Sequence, residues 1–140
     1  MSKSNAFENS LLLLIFNAIA IADIAENDAT SPATTITVAL HTSDPGEAGD
    51  MSTNEATYTS YVRKTVARTS GGWTVTDNSV SPAANIEFAA ATGGSETITH
   101  FSVGSGVSDD MKYSGTVTPN IVVSSGVTPI LTTASAIVEL

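Results

Sequence analysis

The side chains able to do chemistry are few. His41 and His100 are the only histidines, and there is no cysteine. Without a thiol, no cysteine nucleophile, zinc ribbon, iron–sulfur site or disulfide framework can form. A Ser-His-Asp site needs one serine set apart from the others, and no G-x-S-x-G turn occurs. Such a triad is defined by geometry, and both histidines fall in segments that read as strands, where packing is the ordinary role. Two histidines without H-E-x-x-H spacing make no zinc site. The carboxylates Asp44, Glu47 and Asp50, and the pair Asp109 and Asp110, lie in loop-like stretches. They lack the alternating D-x-D-x-D-G pattern of a calcium loop, so they read as solvated turn residues. No G-x-x-x-x-G-K-[ST] or G-x-G-x-x-G run is present, which removes the nucleotide sites built on them. The expectation is a protein that is not an enzyme, with no catalytic residue, no metal and no cofactor.

Two clusters remain as candidate contact sites. Arg63, Lys64 and Arg68 gather three of the five basic residues in one segment of an acidic chain. They read either as a docking spot for an acidic neighbour or as partners of nearby Asp and Glu. Trp73, Tyr58, Tyr61 and Tyr113 would suit a sugar-stacking platform if exposed, but a buried Trp is the commoner arrangement in a small β-domain.

Composition narrows the partners. The chain has 140 residues, 14 acidic against 5 basic, and a net charge of −9. That length fits one domain with a real core. The acidic balance argues against nucleic acid, whose backbone demands clustered Lys and Arg. Ser and Thr make up 38 of the 140 residues, which favours β structure with many turns over a helical bundle.

One apolar block must be placed first. Residues 10–22 read SLLLLIFNAIAIA. Asn17 interrupts the run and Asp23 ends it, so it falls short of the ~20 apolar residues of a membrane span. A secretory leader is the competing reading, since Ala20-Ile21-Ala22 mimics a cleavage site, but Lys3 is its only preceding basic residue and Glu8 offsets it. The segment is read instead as a helix of about 15–18 residues. Asn9 or Ser10 would cap it and residues 28–32 would close it. Leu11, Leu14, Ile15, Ala18, Ala22 and Ala25 share one face, and Leu12, Phe16, Ile19 and Asp23 the next. A face that wide must be covered on more than one side. Leu11, Leu12, Leu14, Ile15, Phe16 and Ile19 are therefore candidate contacts to another subunit, the other possibility being packing across the chain's own domain.

From residue 34 onward, short β-like runs alternate with turns. Residues 36–42, 56–68 with a bend near Ser60, 73–76, 80–88, 96–103 with one break in alternation, 111–117, 120–124 and 128–138 count as about eight strands. Ser43-Asp44-Pro45-Gly46, Gly71-Gly72 and Asp77-Asn78 are turns by their chemistry. Pro82 marks an edge or bulged strand. The fold class expected is mainly β, an antiparallel, jelly-roll-like sandwich preceded by one N-terminal helix. The domain division would be an arm and helix over residues 1–33 and the sandwich over 34–140.

Certain stretches then carry a resemblance. LHTSDPGEAGDMSTNEATYTSYVRKTVART, GGWTVTDNSVSPAANIEFAAATGG, TITHFSVG and KYSGTVTP, after the opening NSLLLLIFNAIAIADIA, resemble a family of small structural proteins of tailed-bacteriophage virions. Residues 40–49, 55–61 and 71–75 are the most specific parts. Such proteins carry the loose label of tail-fibre-like or of phage structural proteins, and the resemblance implies a virion component, of head or of tail, with no catalytic residues to carry over.

Physical arguments lean on its place. A fibre shaft shows repeats or heptads, and none are seen. The expectation is a capsid decoration, or cement, protein on the head exterior, binding the major capsid protein and bridging capsomers. By mass action it would stabilise the mature shell. It would be made in the host cytoplasm, self-associate with a trimer favoured by lattice symmetry, and contact neither nucleic acid nor membrane. The alternative is a tail or tail-fibre component, partnered by a tail protein and acting in host adsorption, with glycan binding as its test.

Overall fold

The computed structural model describes residues 5–20, 32–105 and 109–139. One helix, α1 (Asn5–Asn17), precedes nine strands among the described residues. These are β1 (Thr35–His41), β2 (Lys64–Ala67), β3 (Trp73–Thr76), β4 (Ser79–Pro82) and β5 (Ile86–Glu87). They continue as β6 (Glu96–Ser105), β7 (Met111–Val123), β8 (Ile130–Leu131) and β9 (Ile137–Val138). The order β2-β1-β6-β7 makes a four-stranded sheet, β3-β4-β9 a second, and β5-β8 a short third. Every pairing is antiparallel. The chain is thus mainly β behind one N-terminal helix, consistent with a sandwich, with nine strands where about eight were expected.

The helix departs from its expected bounds. It starts at Asn5, so Ser10 is interior, and its hydroxyl donates to the carbonyl of Ala6 at 2.8 Å instead of capping. It stops at Asn17 because Ala18 turns left-handed, with φ 57°. The expected helical positions Ala22, Asp23 and Ala25, and the closing segment 28–31, lie outside the described residues. No basic residue stands in the last helical turn. Arg68, just past β2, supplies the charge that the helix dipole favours there. Its guanidinium donates to the carbonyls of Ile15 (2.6 Å), Leu14 (2.5 Å) and Ala33 (3.1 Å). Asn17 ties the same helix end to β3: with its amide nitrogen facing inward, it donates to the carbonyls of Thr69 and Trp73 at 3.2 and 3.3 Å.

One core takes residues from the helix and all three sheets. Leu12 and Phe16 join Ile36, Val38 and Leu40 of β1, Trp73 of β3, Val80 of β4, Ile98, Phe101 and Val103 of β6, Val117 and Val123 of β7, Leu131 of β8 and Ile137 of β9. Phe16 meets Trp73 edge-on, with ring centroids 4.9 Å apart. A register shift between Ile98 and His100 breaks the alternation of β6, so Ile98, Phe101 and Val103 all reach that core. The two runs read as strands at 111–117 and 120–124 are one strand through Thr118 and Pro119. Conversely, the long run 56–68 is strand only over Lys64–Ala67, because Ser60 turns at φ 81° and the Tyr61 N–H closes onto the Tyr58 carbonyl. The run 80–88 splits around residues 83–85, leaving Pro82 at the end of β4, beyond the reach of β9.

β1 is buried along nearly its whole length. The second face of the sheet is closed by the segment between β1 and β2. Met51 is fully buried yet lies outside the main core. Its sulfur sits so close to Gly104 that an added Cβ would stand 2.6 Å from it. Among the described residues no helix is long and apolar enough to cross a membrane. Phe16→Ala is expected to cost about 3–5 kcal/mol in urea unfolding. Ile19→Ala, at a position 50% exposed, should shift stability by less than about 0.5 kcal/mol.

Candidate functional site

The densest polar constellation lies under the covering segment. β1 and β6 pair so that His41 faces His100 and Ala39 faces Ser102. His41 and Ser102 are both fully buried. His41 Nδ1 meets the Thr53 carbonyl at 2.8 Å, and Nε2 meets the Ser102 hydroxyl at 2.7 Å. A carbonyl only accepts, so Nδ1 carries the hydrogen, and in the neutral ring Nε2 accepts from Ser102. Burial holds His41 below the ordinary histidine range; the Thr53 carbonyl and Glu55 oppose this, while Arg63 and His100 add to it. This is the serine–histidine contact of a nucleophilic site. Here a backbone carbonyl takes the place of the orienting carboxylate, and neither side chain reaches solvent.

The cover is fastened at several points. The Ala56 N–H bonds the Leu40 carbonyl at 2.8 Å, and the Thr42 N–H bonds the Asn54 carbonyl at 2.9 Å. Arg63 grips Glu55 with two bonds of 2.7 Å and reaches Asp109 with a third, also 2.7 Å. The side chains of Arg63 and Glu55 are only 22% and 18% exposed. Their hydrogen bonds hold the guanidinium firmly charged. The Tyr61 hydroxyl donates to Glu55 and accepts from the Leu40 N–H, both at 3.0 Å. Burial keeps that phenol protonated. At the tip, Asp44 accepts from the Gly46 N–H at 2.9 Å, and Gly46 adopts φ 70°, the conformation its lack of a side chain allows.

The candidate residues read from the sequence separate on this frame. Arg63 takes internal carboxylates and Arg68 caps the helix, so they present no shared basic patch with Lys64, which is half-buried in β2. Among the helical candidates, Leu12 and Phe16 are fully buried in the chain's own core and have no surface left for another molecule. Leu11, Leu14 and Ile15 are half-buried, and Ile19 is exposed. Trp73 and Tyr58 are buried at 2% and 3% exposure, the commoner of the two arrangements weighed from the sequence, and offer no exposed stacking platform. Tyr61 packs between Tyr58 and Phe88, and Tyr113 lies beside Phe16.

The loop carboxylates also have local work. Asp50 accepts from the N–H and hydroxyl of both Ser52 and Thr53, which holds its carboxyl below the usual range. Asp110 pairs with Lys112 at 2.7 Å. Among the described residues no three metal-ligating side chains converge. Pairing with nearby Asp and Glu is one of the two readings of the basic segment, but the sequence does not single out Glu55 and Asp109 as partners of Arg63, nor Ser102 as the partner of His41. The only signal for them was a His in a strand and an Arg among acidic residues, which many pairings would satisfy.

Two outcomes are expected. Because folding lowers the pKa of His41, its contribution is complete above the ordinary histidine value and declines as pH falls below it. Stability should therefore fall as pH drops below about 6.5, the ordinary histidine value, and His41→Gln should flatten that slope in thermal melts. Arg63→Ala should cost about 1.5–3 kcal/mol and should speed hydrogen exchange at the amides of Met51 and Ala56 more than in β6.

No curated protein matches the sequence. The family described as podophage GP4 fiber I protein gp80 matches residues 2–137. Nearly the whole fold just described, from the helix through β9, lies inside that match. The chain belongs to this Gp80 family and is a structural protein of a bacteriophage virion.

Proposed function

We propose that the chain is a structural module of the phage tail fibre and not an enzyme. The observation that carries this reading is the span of the fibre-family match, residues 2–137. The geometry supports it. The serine–histidine pair is enclosed on every side, so a substrate would have to displace the fastened cover to reach it. The pair acts instead as a satisfied polar contact inside a sheet. A hydroxyl-rich, acidic outer surface suits a particle component kept soluble and apart from packed DNA. Its partners in this role are a tail protein and further copies of itself. With Trp73 and Tyr58 buried, adsorption by stacking a sugar on these rings is not part of the proposal.

A second reading, decoration of the capsid exterior against the major capsid protein, is favoured by one observation. Among the described residues there is no extended shaft, and the helix folds back onto β3 and β4. Immunogold electron microscopy of intact virions separates the two. Antibody against this chain is expected to label tails with few particles per virion. Label spread over the heads would overturn the fibre assignment in favour of decoration.

A further inference from the structure

The chain between β1 and Ala56 doubles back on itself. The Ala56 N–H bonds the Leu40 carbonyl at 2.8 Å, the Thr42 N–H bonds the Asn54 carbonyl at 2.9 Å, and Glu55 bridges to His41. These contacts make a stem, which Arg63 clamps through Glu55. Residues 43–53 are the loop that the stem carries, closed at its ends in the manner of an Ω-loop. Its own bonds tie it into one body. Asp50 accepts from Ser52 and Thr53, the Gly49 N–H donates to the Gly46 carbonyl, and the Asn54 amide reaches back to the Asp44 carbonyl. Of its residues only Pro45 and Met51 are buried, and Met51 lies outside the main core, against Gly104. Beyond the stem, the loop is tethered by the Met51 N–H to the Asp109 carbonyl at 2.9 Å, and by the Thr53 carbonyl to His41 Nδ1 at 2.8 Å.

We propose that protonation of His41 releases loop 43–53 from the sheet as one body, hinged on its stem, while the rest of the fold stays intact. The closed loop fits a neutral ring. Nδ1 donates to Thr53 and Nε2 accepts from Ser102, and neither nitrogen touches a carboxylate. A proton added at Nε2 meets the Ser102 oxygen, so that hydroxyl must turn and its own hydrogen loses its acceptor. It also leaves a cation sealed from water, which is costly without a paired anion. The surroundings do not cancel that cost. Glu55 favours the cation, while Arg63 and His100, on the facing strand, oppose it, and burial outweighs each of them. Asp109 is engaged by Arg63, Asp110 and Lys112 pair with each other, and Asp44, Glu47 and Asp50 are exposed on the loop. Lifting the loop takes away the Thr53 carbonyl and gives both ring nitrogens to water. A site that holds the proton better when open is opened by acid. The hinge survives because Leu40–Ala56, Thr42–Asn54 and Glu55–Arg63 contain no group that titrates in this range. The inference holds wherever in the virion the chain resides.

The test uses the full chain and reads the Met51 sulfur. Peroxide turns a thioether into the sulfoxide, and it reaches Met51 only when the loop is open. Half-buried Met111 is the internal reference, and trypsin separates the two in mass spectrometry because Arg63 and Lys64 lie between them. Relative to Met111, oxidation of Met51 should be slow at pH 7.5 and about threefold to tenfold faster at pH 5.5. Urea up to about 1 M should leave that rate unchanged, as a local opening exposes little surface, while it speeds hydrogen exchange at the β6 amides. His41→Asn, which keeps an N–H near the place of Nδ1 and does not titrate, should remove the pH dependence. His100→Asn should keep it. A Met51 rate indifferent to pH, or one still rising in acid in His41→Asn, would overturn the proposal. So would loss of the pH dependence in His100→Asn, or a rate that climbs with urea in step with β6 exchange, since global unfolding would then be exposing the sulfur. If His41→Asn does not fold, the unmodified chain and His100→Asn decide.

Discussion

Strand β1 must be covered on both faces, and most of the architecture follows from meeting that demand. Ile36, Val38 and Leu40 point into the main core, while Thr37, Ala39 and His41 point the other way and are buried as well. A sheet with one wet face would need only the first covering. Here the helix and the second layer close one side, and the segment between β1 and β2 closes the other. Beyond Met51, the apolar side chains of that segment, Ala56, Tyr58 and Tyr61, pack into the main core. The segment is held by directed polar contacts: the Arg63 grip on Glu55 and Asp109, the Tyr61 hydroxyl, and backbone bonds to Leu40 and Thr42. Closing a sheet with a polar loop forces every buried donor beneath it to find a partner. The His41–Ser102 contact is that requirement being met.

The same reasoning explains the basic residues. Five cations in an acidic chain are too few for an exposed patch with a function of its own. Three of them bind oxygens of the chain itself. Arg63 neutralises two carboxylates beside a covered strand, Arg68 answers the carbonyls at a helix terminus, and Lys112 pairs with Asp110 at the start of β7. Arginine serves the first two because its planar fork can bond several oxygens at once.

Membership in a fibre family sits beside a compact fold with no repeat. The helix lies in the sequence's most hydrophobic segment, yet Leu12 and Phe16 are turned inward, and Phe7 is the exposed large apolar residue in it. Among the described residues Val122, at 68% exposure, is the most exposed of the large apolar side chains, and it lies on β7.

Local chemistry alone determined a good part of this protein. β1 and β3 were legible to within a residue, since alternation and flanking turns specify a strand wherever one face is dry. The turn at Asp44 and Gly46 followed from side-chain and φ preferences that act within four residues, and the break in β6 from its lost alternation. The family was legible in stretches of sequence, without reference to structure. Tertiary structure alone decided the rest. Helix α1 ends at Asn17, although apolar residues continue, because Ala18 turns left-handed and Arg68 and Asn17 bind the helix end to the sheet and β3. Segment 56–68 forfeits most of its strand character to the turn at Ser60, which places Tyr61 and Arg63 over Glu55. Ser102 and Asp109 gain their roles from His41 and Arg63, partners far away in sequence. Those pairings depend on which strands become neighbours, and strand order is set by how one core can be closed from every side, a condition no short window of residues contains.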